Sequence, residues 1–111
     1  MKSTSYTISG IEIEESILNM LTAELKQGMM ICEKVLDTSA ILEEEKPKLL
    51  SFFHKLKGST GFIGLTKIEE TSRKLEDLIR SDDKEYKNVL KTLRGEITTL
   101  LNEIELTNKE S

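Results

Sequence analysis

Apolar residues return along most of this chain at steps of three and four, the spacing of one face of an α-helix. From about Glu14 to Asp37 they are Leu18, Leu21, Leu25, Met29, Cys32 and Leu36, and Asp37-Thr38-Ser39 supplies a stop. After a short connection, Ala40 to Glu43, a second helix is predicted to begin near Glu44–Pro47. Proline is tolerated in a first turn, and acidic residues suit the positive end of the helix dipole. The inward face of this helix is Leu49, Phe53, Leu56, Thr60 and Ile63, and Gly64 can close it in a left-handed cap. Thr66, with Glu69 three residues on, reads as a capping box for a third helix. Its inner face is Leu65, Ile68, Ser72, Leu75 and Ile79, and Ser81-Asp82-Asp83 ends it. A fourth helix is predicted from roughly Lys84 to Leu106, with Tyr86, Leu90, Leu93, Ile97, Leu100 and Ile104 forming its seam.

Four amphipathic helices joined by short connections predict an all-α fold, an antiparallel up-down four-helix bundle spanning residues 11–111. Residues 1–10 are polar, rich in Ser and Thr, and end in Gly10. They read as a short flexible N-terminal tail that docks, if at all, through the Ile11 and Ile13 that follow.

Composition narrows the function more than the fold. With 111 residues the chain is one domain, too small to build a core and also enclose a large substrate. Net charge is −4, the lysines are scattered among acids, and aromatic residues make up only 5%, so no nucleic-acid surface is expected. Cys32 is the only cysteine and His54 the only histidine, which together make neither a disulfide nor an ordinary zinc site, so no metal is expected. Residues Met1 to Thr7 lack the apolar run of a signal peptide, and no segment approaches a membrane span. The expectation is a cytoplasmic protein that does not engage a membrane.

The candidate chemistry lies in the second helix. His54 is followed at helical spacing by Gly58 and Gly61, both on its side. Each glycine costs a helix interior about 1 kcal/mol relative to alanine. The chain therefore gives up helix stability to clear space around one imidazole, which sits well round from the apolar stripe. Lys57 lies one turn away and can attract an anionic group. A solvent-facing imidazole beside a lysine, with no second catalytic group, suits accepting a phosphoryl group better than turning over a substrate. There is no glycine-rich loop of the nucleotide-binding type, so the donor, the metal ion and most of the catalytic machinery are expected on a partner.

The stretch His54-x-Leu56-Lys57-Gly58-Ser59-Thr60-x-x-Ile63-Gly64 resembles the signature of histidine-containing phosphotransfer (HPt) domains. It is also similar to the N-terminal phosphoacceptor domain of chemotaxis histidine kinases. The likeness extends through the third helix to about Leu78, and the four-helix framework fits the rest. It implies a phosphocarrier, not an enzyme, with His54 as phosphoacceptor through Nε2 and Lys57 near the phosphoryl group. It makes Gly58 the small residue that admits the partner's aspartate, and Gly64 the end of the histidine helix. Leu56 and Ser59 belong to the structural motif. Glu76, twenty-two residues after His54, falls where the family places a Gln or Glu bonded to the other ring nitrogen. Glutamate there is typical of the chemotaxis-kinase branch. Thr60 departs from the usual Ser or Ala. The implied partners are a response-regulator receiver domain, which would bring Mg²⁺, and a histidine kinase. No intrinsic cofactor is implied, and the site needs only a monomer.

Plainer readings stand beside these. Lys57 also reads as a solvated lysine, and Glu76 as a surface acid paired with Lys74 or Arg80. Gly58 and Gly61 also suit close helix packing, although their shared side with a non-core histidine favours partner docking. Phe62 is expected outside the core stripe, where it would join that docking surface. The rival from another class is a helical interaction module that is never phosphorylated.

Overall fold

The computed structural model describes residues 4–110. Its helices are α1 (Glu15–Leu36), α2 (Lys46–Ile63), α3 (Thr66–Arg80) and α4 (Tyr86–Glu110). The sequence pattern located each of them to within a few residues. α1 packs on α4, α4 on α3, and α3 on α2. The predicted stripes meet in one core: Leu21 and Leu25 of α1, Phe53 and Leu56 of α2, Leu75 of α3, and Leu90, Leu93 and Ile97 of α4 are all buried. Cys32 is part of it, and burial pushes its thiol up to about 12, as loss of water disfavours the thiolate. Gly28 brings α1 close to α4. A Cβ there would lie 3.2 Å from Cδ1 of Ile97, and the Phe52 ring of α2 fills the space beside it.

The turn between α2 and α3 fixes how the two helices meet. Gly64 closes α2 in the left-handed region at φ 102°, as its position predicted. The Leu65 N–H then donates to the Thr60 carbonyl at 2.8 Å, and the Leu65 side chain is buried. The expected capping box does not form. With only Gly64 and Leu65 between the helices, Leu65 takes the N-cap position and Thr66 is already helical, so its hydroxyl cannot cap. The Glu69 side chain turns instead toward Gly61 of α2 and Arg73.

Much of the expected flexible tail is ordered. β1 (Ser5–Ile8) and β2 (Ile11–Glu14) form an antiparallel hairpin in which Ile8 pairs with Ile11 and Tyr6 with Ile13. Paired residues share a face, so Tyr6, Ile8, Ile11 and Ile13 gather on one side and Thr7 and Glu12 on the other. Ser9 and Gly10 make the two-residue turn at φ 52° and 77°, and positive φ at both central positions matches the strand twist. The Ser9 N–H and hydroxyl donate to the two carboxylate oxygens of Glu103 at 2.6 and 3.0 Å, fastening the turn to α4. Ile8 and Ile13 are buried against the bundle. The domain boundary expected at residue 10 therefore falls inside a hairpin that belongs to the core; residues 1–3 lie outside the described residues. Ile8→Ala is expected to lower the unfolding free energy by about 2–4 kcal/mol in a urea titration, whereas a loose tail would give no change.

Candidate functional site

His54 stands on the exposed face of α2, with 70% of its side chain open to solvent. Its Nδ1 lies 3.4 Å from Oε2 of Glu76, which reaches across from α3. The other oxygen, Oε1, lies 3.3 Å from Nζ of Lys57. Nη2 of Arg80, one turn further along α3, is 3.5 Å from Oε2. Glu76 itself is only 3% exposed. A carboxylate removed from water to this extent needs compensating charge, and here three cationic or potentially cationic groups surround it.

The arrangement shows what Glu76 and Lys57 touch. Glu76 does pair with Arg80, but it is buried and not a surface acid, and it contacts His54 and Lys57 as well. Lys57 is not an ordinary solvated lysine, because its ammonium sits on Glu76. A carboxylate beside Nδ1 can accept from a proton-bearing Nδ1, the tautomer in which the lone pair of Nε2 is free. No hydrogen bond or ion pair engages Nε2 among the described residues. A nucleophilic nitrogen facing water beside a buried counter-charge can attack an electrophile delivered from outside.

Helix geometry separates the two glycines. At 100° per residue, Gly58 and Phe62 lie about 40° and 80° round from His54 in one direction, and Gly61 and Lys57 about 20° and 60° in the other. The second direction faces α3. A Cβ at Gly61 would run into the Glu69 carboxylate, the movable end of a flexible side chain on α3. Gly58 is different: a Cβ there would meet nothing within 4 Å. No intramolecular contact requires a glycine at 58, although it costs the helix about 1 kcal/mol. Phe62 is 87% exposed, an aromatic ring left in water about 12 Å further along the same helix.

The remaining motif residues hold α2 in place. Leu56 is fully buried. The Ser59 hydroxyl donates to Glu24 of α1 at 3.2 Å, a contact the sequence did not reveal. Thr60, the departure from the usual small residue, is fully buried and donates its hydroxyl to the Leu56 carbonyl at 2.7 Å. It fits without disturbing the helix.

Among the described residues no cluster of three or more His, Cys, Asp and Glu side chains could hold a metal ion. No helix among them is long and apolar enough to cross a membrane. No curated protein and no solved structure matches the chain. The family model of the Hpt domain, however, matches residues 15–106, from the first residue of α1 to near the end of α4, and leaves the hairpin outside. With a matching four-helix framework and an exposed histidine in its signature segment, the chain belongs to the Hpt domain family, the histidine phosphotransfer modules of phosphorelays.

Proposed function

We propose that His54 is the phosphoacceptor of a phosphorelay carrier. It would take a phosphoryl group from the phosphoaspartate of a receiver domain, or from a kinase, and pass it to a receiver aspartate. The observation that carries this reading is the His54–Glu76 contact on an otherwise open helical face. Neutral Nε2 attacks phosphorus, the N–P bond forms, and the acyl-phosphate P–O bond breaks to release the aspartate carboxylate. The ring keeps its proton on Nδ1 and becomes cationic. Glu76, 3.4 Å away, carries the balancing charge as it appears. Lys57 accompanies the phosphoryl oxygens.

The rest of the machinery belongs to the partner. The receiver supplies Mg²⁺ and the aspartate, and the bundle supplies an oriented imidazole and a surface cleared by Gly58. Phe62, beyond it, gives that surface an apolar anchor of the kind interfaces favour. The domain acts as a monomeric carrier with no cofactor of its own, in the cytoplasm where receivers and kinase catalytic domains meet it.

A second reading rests on one residue. Glu76 is a carboxylate where relay carriers often have an amide, which favours the phosphoacceptor domain of a chemotaxis-type kinase. Single-turnover loading tests both. The protein is mixed either with phosphorylated receiver domains or with kinase catalytic domains and ATP, and acid-labile phosphate is followed on the chain. Fast loading from receivers supports the relay carrier, loading from ATP-charged catalytic domains alone supports the kinase branch, and loading from neither removes both.

A further inference from the structure

We infer that Arg80 is a positioning residue of this site, holding the Glu76 carboxylate in place when Lys57 turns to the phosphoryl group. The inference rests on the phosphoacceptor reading of His54 and adds to it.

The argument begins with the demands on one buried carboxylate. Glu76 must face Nδ1 of His54 through Oε2, and Lys57 occupies the side of Oε1. Oε1 is buried and accepts no hydrogen bond, so its interaction with Lys57 at 3.3 Å is an ion contact alone. Once a phosphoryl group arrives at Nε2, its oxygens compete for the same ammonium. A carboxylate that is 3% exposed would then lose a fixed cation. Leaving a buried charge short of a partner is costly. The carboxylate would either retain Lys57 or turn away from the ring.

Arg80 removes that conflict. It follows Glu76 by one turn on the same helix, so its contact survives any adjustment of α2, the helix that carries both His54 and Lys57. Its Nη2 donates to Oε2, the oxygen that also faces His54. The guanidinium stays charged at every working pH. Its side chain is 61% exposed, so keeping the charge there costs little desolvation. The other carboxylate in reach, Asp77, is further away at 3.8 Å and is itself exposed.

The test uses the full chain as wild type, Arg80→Ala, Arg80→Lys, Glu76→Gln, and the double variant Glu76→Gln with Arg80→Ala. The donor is phosphoramidate, whose P–N bond breaks to release ammonia as the bond to Nε2 forms. It needs no docking surface, so a lost partner contact cannot imitate the effect. Loading is timed by intact mass, and the ring tautomer is read from ¹⁵N shifts. Because Arg80 is exposed and screened, Arg80→Ala is expected to load about threefold more slowly. It should also raise the fraction of ring protonated on Nε2. Arg80→Lys should recover most of both, and adding Arg80→Ala to Glu76→Gln should change neither. An unchanged rate and tautomer in Arg80→Ala would overturn the inference, as would an effect that persists without the Glu76 carboxylate. If wild type loads and only these comparisons fail, the phosphoacceptor reading stands. If wild type gains no phosphoryl group from phosphoramidate or from any phosphorylated receiver domain, that reading fails and this inference fails with it.

Discussion

Gly58→Leu is expected to slow phosphoryl exchange with a receiver domain by about a hundredfold or more, the scale on which misplacing reacting groups by about 1 Å is felt. The same change should leave the bundle folded and somewhat more stable. A Cβ at residue 58 meets nothing within 4 Å and the position is exposed, so the new side chain starts in open space. Replacing glycine by leucine inside a helix also gains up to about 1 kcal/mol in propensity. Stability and function should thus move in opposite directions, which is the signature of a residue kept for a partner. Loading from phosphoramidate, which needs no docked surface, should fall far less than transfer from a receiver. Urea titration together with both loading rates checks the pattern.

Glu76→Gln has the second largest expected effect, a loss of about a hundredfold in loading from any donor, at the low end of what a positioned proton partner contributes. The amide keeps the shape of the side chain and removes its charge. The cationic ring that forms during transfer then has no counter-ion at 3.4 Å, and Lys57 and Arg80 are left facing it. Two changes should be visible. The ¹⁵N shifts of His54 should report a larger share of the tautomer protonated on Nε2, because an amide can donate to Nδ1 as well as accept from it. The fall in rate should also be similar for a small donor and for a receiver, unlike that of Gly58→Leu. Equal loading by Glu76→Gln and wild type would show that the carboxylate is only a structural partner of the neighbouring cations.

Most of the helical framework was legible because each helix repeats its signal over several turns. Leu49, Phe53 and Leu56, or Leu90, Leu93 and Ile97, state the same face again and again, and all are buried. His54 was legible by exception, a polar side chain off the stripe with glycines at helical spacing. The hairpin was missed although its signal was present. Tyr6, Ile8, Ile11 and Ile13 follow a period of two on either side of Ser9-Gly10, but over only four residues per strand, and the many Ser and Thr masked it. The different surroundings of Gly58 and Gly61 could not be read from α2 alone. They depend on Glu69, whose direction follows from the two-residue link that displaced the expected cap. The cluster at Glu76 was half visible. The family resemblance suggested His54 and helical spacing suggested Lys74 or Arg80, and only the packing of α2 on α3 shows that one carboxylate reaches both His54 and Arg80.

The measurement that bears most directly on the central claim is the intact mass of wild type and His54→Gln after exposure to phosphorylated receiver domains and to phosphoramidate. The account predicts a gain of one acid-labile phosphoryl group on wild type and none on His54→Gln, with both proteins folded to the same helix content. A folded wild type that gains nothing from any donor, or a His54→Gln protein that gains as much as wild type, would contradict it.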